Sequence, residues 1–210
     1  MSTKTFLSIL AITILSACAV SPENQRNALA AATSCCHSIA EIPITDVLGV
    51  KESIDITSES PVFDFSTGRS HFASFTLPDS SRGKRLELRA VIGTPTIVDG
   101  LGGHTSFLPA VTFLDERHEP LGTAYDEQPT AQMNGGWSRG TFLSYAKIPN
   151  NAKYAVLHTV PRKFGELYIG YVFSPGMTML VGGVPFSTGG GKGPMRTVFV
   201  STGTVMVSLQ

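Results

Sequence analysis

The chain has 210 residues, a formal net charge of zero and a charged-residue content of 15 %. This balance excludes the basic surface by which proteins bind nucleic acid, and it excludes attachment to anionic lipid through charge. We therefore expect no nucleic-acid partner, and any membrane attachment must come from another feature.

Residues 1–17 have the layout of a secretory signal peptide. Lys4 precedes an apolar run over residues 6–15, and the small residues Ser16 and Ala17 follow it. The run is shorter than the roughly 20 apolar residues of a membrane-spanning helix. We therefore expect this segment to be removed.

Cys18 is the predicted site of lipidation. The sequence Leu15-Ser16-Ala17-Cys18 resembles a bacterial lipobox, in which the thiol accepts a diacylglycerol; the alternative is a plain secretory signal with a chance cysteine. Two or more acyl chains anchor a protein stably. Ala19 follows in place of an aspartate, which in the lipoproteins it resembles indicates transfer to the outer membrane. We expect a lipid-anchored protein on the periplasmic side of that membrane.

Residues 18–36 are predicted to form a lipidated, flexible tether with a helical turn or two at 23–32. The tether ends in the adjacent pair Cys35 and Cys36. Neighbouring Cα atoms lie about 3.8 Å apart, below the usual disulfide range of about 4.4–6.8 Å. The options are a strained disulfide, pairing with a second chain, or two buried thiols. The missing two-residue spacer disfavours a redox role.

Residues 37–210 are predicted to form an all-β domain, an antiparallel β-sandwich of jelly-roll type. Short runs rich in Val, Ile, Thr and Phe alternate with turns of Gly, Pro, Asp and Asn. Leu86, Leu88 and Ala90 alternate with Glu87 and Arg89, which indicates a strand with one buried face. The predicted strands are 52–57, 61–65, 71–77, 85–92, 106–114, 121–125, 140–146, 154–160, 167–172 and 196–209.

The segment 174–194, with its glycine-rich part near 182–194, is predicted to be a long mobile loop, because its glycines and prolines disfavour regular structure. Its Gly-Gly-Gly-Lys run is not a phosphate loop. Phe186 stands where that motif needs its first glycine, and Gly193 where it needs a hydroxyl.

No catalytic residue, metal site or cofactor can be assigned from motifs, so we expect a non-catalytic protein. The five histidines, at 37, 71, 104, 118 and 158, show no metal-ligand spacing. The chain also has no Gly-x-Ser-x-Gly elbow and no carboxylate pair at a fixed spacing.

The segment around the single tryptophan is the candidate carbohydrate site. Trp137 offers a flat face for stacking on a sugar ring, and Asn134 and Arg139 can hydrogen-bond to hydroxyl groups. Tyr125 and Asp126 are predicted to join them if the hairpins are neighbours. The alternative is that Trp137 anchors the core.

The strand-and-turn pattern resembles the maltose-operon periplasmic protein family. The residues that carry the likeness are 48–57, 60–63, 72–78, 85–88, 107–115 with Pro120, and 154–157. This resemblance implies a periplasmic β-rich protein linked to maltose and maltodextrin uptake, without an established activity. The lipobox and the cysteine pair are departures that indicate a lipoprotein branch, and the family motif transfers no functional residue.

We therefore expect a non-catalytic envelope lipoprotein that is accessory to maltose or maltodextrin binding or transport. Its partners would be the membrane, through the lipid, and a maltodextrin or a sugar-transport component. The alternative is a structural or protein-interaction lipoprotein of the envelope without a sugar ligand.

Overall fold

Sixteen strands and one α-helix occupy the parts of the chain that the computed structural model describes, which are residues 22–98, 101–132, 140–174, 177–181, 184–188 and 191–210. The helix is α1, Pro22–Ala31. The strands are β1 Asp46–Val47, β2 Lys51–Ile56, β3 Val62–Phe65, β4 Gly68–Thr76, β5 Arg85–Val98, β6 Leu101–Phe107, β7 Pro109–Leu114, β8 Pro120–Tyr125, β9 Thr130–Gln132, β10 Thr141–Lys147, β11 Tyr154–Thr159, β12 Leu167–Ser174, β13 Met177–Val181, β14 Val184–Thr188, β15 Gly191–Val200 and β16 Gly203–Leu209.

The first sheet has the strand order β1-β4-β11-β7-β8, and β3 also pairs with β4. All six residues of β7 are buried, because both faces of this strand are covered. The outer face carries a second apolar cluster in which Phe63, Phe65 and Phe72 pack with Ile42. The segment that precedes β1 therefore forms part of the folded domain.

The second sheet has the order β12-β15-β6-β5-β10-β9; in addition, β16 pairs with β5, and β2 pairs with β16. The long strand β5 connects its parts. Residues 85–91 of β5 pair with β10, residues 86–90 also pair with β16, and residues from Ile92 to Val98 pair with β6.

The main core lies between the two sheets. Leu86, Leu88 and Ala90 of β5 are buried there, as the alternation predicted, whereas Arg89 on the other face is ion-paired with Glu87. The prediction of an all-β sandwich is confirmed. Two strand pairs are parallel, β1 with β4 and β15 with β6, so the sheets are mixed where the sequence pattern predicted antiparallel sheets.

Helix α1 contradicts the prediction of a flexible tether. The expected helical turns are present, but the helix packs on the domain: Leu29 is buried against Phe164, and Gln25 Oε1 accepts a hydrogen bond of 2.7 Å from the backbone N–H of Ser201. From Pro22 onward the expectation of a flexible tether was therefore wrong. A single leucine in a polar segment gives no apolar period from which docking could be read. No helix among the described residues is long and apolar enough to cross a bilayer.

The glycine-rich segment is the second correction, because its described parts are strands. β12 pairs antiparallel with β15, and β13 pairs antiparallel with β14. The expected mobile loop was wrong for these residues. A Gly-Gly pair between two runs of β-prone residues also favours a β-hairpin, and the prediction of a mobile loop did not take this into account.

Candidate functional site

A cleft of about 640 Å³ lies between α1 and the neighbouring strands β2 and β16. Four parts of the chain form its walls. The residues that line it are Asn24, Gln25 and Ala28 from α1, Asp55, Ile56, Thr57 and Ser58 from β2 and the following turn, His71 from β4, Ser201 and Thr202 from the turn between β15 and β16, and Gly203 and Thr204 from the start of β16.

Strand register fixes one wall of the cleft. β16 runs antiparallel to β2 and places Thr204 opposite Asp55, where the Thr204 hydroxyl donates a hydrogen bond of 2.6 Å to the Asp55 carboxylate. Beside them, a Cβ on Gly203 would lie 2.9 Å from Phe107 Cβ, which is closer than side chains pack. Glycine at position 203 therefore lets this part of the cleft approach the core.

Helix α1 forms the opposite wall, and polar contacts hold it there. Besides the bond to the backbone of Ser201, Gln25 Oε1 accepts a bond of 2.9 Å from the Ser201 hydroxyl. At the other end of the helix, the Arg69 guanidinium donates to the backbone oxygens of Ala30 and Ala32, which suits the partial negative charge of a helix C-terminus. The width of the cleft therefore depends on a helix docked at both ends.

Arg69 is itself held by a carboxylate. Its guanidinium donates two hydrogen bonds of 2.8 Å to Asp64. These bonds keep the pKa of Asp64 below its usual value and that of Arg69 above it. The bidentate geometry orients the guanidinium toward the helix end.

His71 presents a defined imidazole to the cleft. The ring is buried, and its Nδ1 lies 2.8 Å from the carbonyl oxygen of Ser60. Because a carbonyl only accepts, Nδ1 carries a proton in this bond. The bond fixes the orientation of the His71 ring in the wall of the cleft.

The chemistry of the cleft suits a small, uncharged ligand rich in hydroxyl groups. The described residues of its lining contain hydroxyls, two amides, one imidazole and a single carboxylate, and that carboxylate already accepts a bond from Thr204. Its volume falls within the range of about 300–1,000 Å³ that is usual for small-molecule sites. Hydroxyls and amides both donate and accept, which matches the two roles of a sugar hydroxyl.

The predicted carbohydrate contacts fall partly outside the described residues. Asn134, Trp137 and Arg139 lie outside them. Tyr125 ends β8, and the guanidinium carbon of Arg162 lies 5.2 Å from its ring centroid. Arg162 also pairs with Glu127 at 2.9 Å.

Asp126 has a local role in the same turn. Its Oδ1 accepts a hydrogen bond of 2.9 Å from the backbone N–H of Gln128. Tyr125 and Asp126 are thus neighbours in the chain, but Arg162 covers a face of the Tyr125 ring, and the Asp126 carboxylate stabilises the turn.

His158 is fully buried within the first sheet. Its ring stacks on Phe65 with centroids 3.9 Å apart, its Nε2 lies 2.9 Å from Thr112 Oγ1, and its Nδ1 lies 2.9 Å from the carbonyl oxygen of Thr159. Burial lowers the pKa of His158 to about 4. The ring is neutral at physiological pH and acts as a polar element of the core.

Cys35 and Cys36 are joined by a disulfide bond, which is one of the three options that the sequence left open. The backbone N–H of Cys35 donates to the carbonyl oxygen of Val62 at 2.8 Å, and the Ser34 hydroxyl donates to that of Cys36 at 3.0 Å. The pair is thus part of the folded domain. In the part of the chain that the structure describes, no three His, Cys, Asp or Glu side chains gather as metal ligands would.

No protein-family model, curated protein or solved structure matches this chain. The resemblance to the maltose-operon periplasmic protein family therefore stays a prediction.

Proposed function

We propose that this chain is a lipid-anchored, non-catalytic binding protein of the cell envelope whose α1 cleft takes a neutral carbohydrate of the maltodextrin class. The observation that carries this proposal is the cleft itself, because seven of its twelve described lining residues carry a hydroxyl or amide side chain. The predicted link to maltodextrin uptake names the class of sugar.

The balance of charge in the cleft favours a neutral sugar over an ionic ligand. Among the residues that the structure describes, no lysine or arginine lines it, so a phosphate or carboxylate on the ligand would lack a cationic partner from these residues. Asp55 is the one carboxylate of the described lining, and the oxygens of a carboxylate can accept several bonds, so Asp55 can bind a ligand hydroxyl as well as Thr204.

The proposal is non-catalytic because the hydrogen bonds of the described residues pair the histidine of the cleft with no nucleophile. The imidazole of His71 hydrogen-bonds to a backbone carbonyl, not to a hydroxyl that could act as a nucleophile. Binding by hydroxyl and amide groups needs no such pair.

The location rests on Cys18. We propose that its thiol carries the lipid that holds the protein on the periplasmic side of the outer membrane, since a formal net charge of zero gives no overall attraction to anionic lipid. Mass spectrometry of the N-terminal peptide from the native protein tests this. A diacylglyceryl adduct on Cys18 is expected, and an unmodified cysteine, or a mature chain that begins elsewhere, would contradict the proposal.

The proposed binding of a sugar is tested by isothermal titration calorimetry of the non-lipidated Cys18→Ser chain with maltodextrins and a panel of other glucans. Asp55→Asn should weaken binding about tenfold or more, because a hydrogen bond to a charged group contributes about 1.5–3 kcal/mol. Asp126→Asn is the matched control, with the same chemical change in the turn beside Tyr125. If no glucan of the panel gives a heat of binding, the proposed sugar ligand is refuted. If Asp126→Asn weakens binding and Asp55→Asn does not, the sugar binds at the turn beside Tyr125 and not in the cleft.

A second candidate is a protein-interaction lipoprotein, which two exposed valines favour. Val47, which ends β1, and Val50, which lies just before β2, are 68 % and 79 % exposed. Exposed apolar side chains of this kind suit a protein contact. Crosslinking in cells from a photoreactive residue at position 50 should then return a defined partner; without one, this candidate fails.

A further inference from the structure

The disulfide between Cys35 and Cys36 has no part in the proposed function of the cleft. Cys35 is exposed, whereas Cys36 is half-buried and packs against the apolar cluster that contains Phe63 and Phe65. Cys35 is therefore the half of the disulfide that faces solvent. Exposed disulfides are typically the ones that exchange with thiols and serve in regulation.

This disulfide contributes little as a staple of the fold. A disulfide stabilises a protein mainly by restricting the unfolded chain, and the effect grows with the number of residues in the loop that it closes. No residue lies between Cys35 and Cys36. The bond therefore fixes a local conformation, because it closes a small ring around the peptide bond that joins the two residues.

That local conformation connects the end of α1 to β3. The backbone N–H of Cys35 donates to the carbonyl oxygen of Val62 at 2.8 Å, and the Ser34 hydroxyl donates to that of Cys36. Val62 in turn packs with Leu29, the buried residue of α1. The disulfide thus lies beside the contact through which α1 docks on the domain.

We propose that the Cys35–Cys36 disulfide is a redox switch that a dithiol reductant opens, and that its reduction loosens α1 and weakens binding in the α1 cleft. The effect on binding rests on the proposed function of that cleft. The pair lacks the spacer of a catalytic dithiol, and its role is that of a target of thiol exchange and not that of a catalyst.

The exchange proceeds in two steps. A thiolate of the reductant attacks Sγ of Cys35, the bond between the protein sulfurs breaks, and its electron pair leaves on Sγ of Cys36, which takes up a proton. The second thiolate of the reductant then attacks the reductant sulfur of this mixed disulfide and displaces Cys35 as a thiolate, which is protonated in turn. The protein disulfide is reduced to a pair of thiols, and the dithiol is oxidised to a disulfide.

Reduction changes the geometry beside α1. Sulfur atoms that are no longer bonded cannot stay at bonding distance, so the side chains of Cys35 and Cys36 move apart. Because Cys36 packs on the apolar cluster, we expect Cys35 to move, and its N–H then loses the fixed direction of its bond to Val62. α1 buries a single residue, Leu29, so a small change at its end is enough to make it open more often. Gln25 on this helix lines the cleft, which therefore becomes less ordered.

Access to the disulfide is tested by alkylation of the Cys18→Ser chain, in which Cys35 and Cys36 are the remaining cysteines. The folded protein is treated with dithiothreitol without denaturant and then with iodoacetamide. Mass spectrometry should find both cysteines alkylated. If the disulfide is reduced only in denaturant, the inference is overturned.

Hydrogen exchange of the oxidised and the reduced chain shows where reduction acts. We expect severalfold faster exchange over residues 22–36 after reduction and no change over residues 86–90, which pair with β10 and β16. The matched control combines Cys35→Ser with Cys36→Ser; it should exchange like the reduced chain, with or without dithiothreitol. Equal exchange of the oxidised and reduced chains, or an effect of dithiothreitol on the control, overturns the inference.

The effect on the cleft is tested by isothermal titration calorimetry with a maltodextrin in both redox states. Severalfold weaker binding is expected after reduction, and equal affinity in the two states overturns the inference. If no maltodextrin binds in either state, the proposed sugar ligand is refuted, whereas hydrogen exchange still decides whether the disulfide controls α1.

Discussion

Acidification should destabilise the domain through the buried ring of His158. Burial lowers the pKa of His158 to about 4 in the folded protein, whereas an unfolded chain has an ordinary histidine pKa of about 6.5. Between these values the unfolded chain binds a proton that the folded chain does not bind. The contribution of the neutral ring is therefore complete above about pH 6.5 and is lost as the pH falls to about 4.

The magnitude follows from the two pKa values of His158. At about 1.4 kcal/mol for each pKa unit, a fall from 6.5 to about 4 corresponds to about 3 kcal/mol in the free energy of unfolding. A small domain has about 5–15 kcal/mol in total. One histidine thus accounts for a measurable part of its acid sensitivity.

The assay is urea unfolding, followed by circular dichroism, of the Cys18→Ser chain between about pH 7 and about pH 4.5. His158→Gln is the matched variant, because glutamine keeps a polar group beside Thr112 but does not titrate. Its free energy of unfolding should fall less steeply with acid than that of the unsubstituted chain, and carboxylates common to both cancel in the difference. Parallel curves for the two proteins would refute the reasoning.

Three substitutions test how the cleft is built. Gly203→Ala should lower the free energy of unfolding by about 1–3 kcal/mol, because its methyl group would meet Phe107, and an unchanged denaturant midpoint would contradict this close approach. Gln25→Ala removes two hydrogen bonds to Ser201, so hydrogen exchange over residues 22–31 should become faster, while unchanged exchange would show that α1 is held otherwise. Leu29→Ala should cost about 2 kcal/mol or more in denaturant unfolding, and a negligible cost would contradict the burial of this side chain.

The sandwich could be predicted from the sequence because its signal is local. Leu86, Leu88 and Ala90 alternate with polar residues over five positions, and this alternation alone places one face of β5 in the core. Pairing direction is not local. The parallel pair of β15 with β6 joins residues that are far apart in the chain, so the pattern of each strand by itself does not specify it.

The cleft could not be predicted from the sequence, for the same reason. Asp55 and Thr204 are 149 positions apart, and Gln25 and Ser201 are 176 positions apart. Neither pair belongs to a motif of fixed spacing. His71 likewise has no neighbour in sequence that marks it, and its role depends on a bond to the carbonyl of Ser60 across a turn.

The predicted sugar contacts at Tyr125 and Asp126 show a different limit of prediction from sequence. Tyr125 and Asp126 were chosen as residue types that bind sugars, and residue type does not reveal what else a side chain contacts. In the fold, Arg162 lies over the Tyr125 ring, and the carboxylate of Asp126 caps its own turn through Gln128.

Hydrogen exchange with and without a saturating maltodextrin tests the central claim most directly, because it reports where the ligand binds. We predict slower exchange in the backbone of residues 22–31, 55–58 and 201–204 of the Cys18→Ser chain, which form the walls of the cleft. Protection confined to residues 125–139, or no protection with any glucan, would contradict the account.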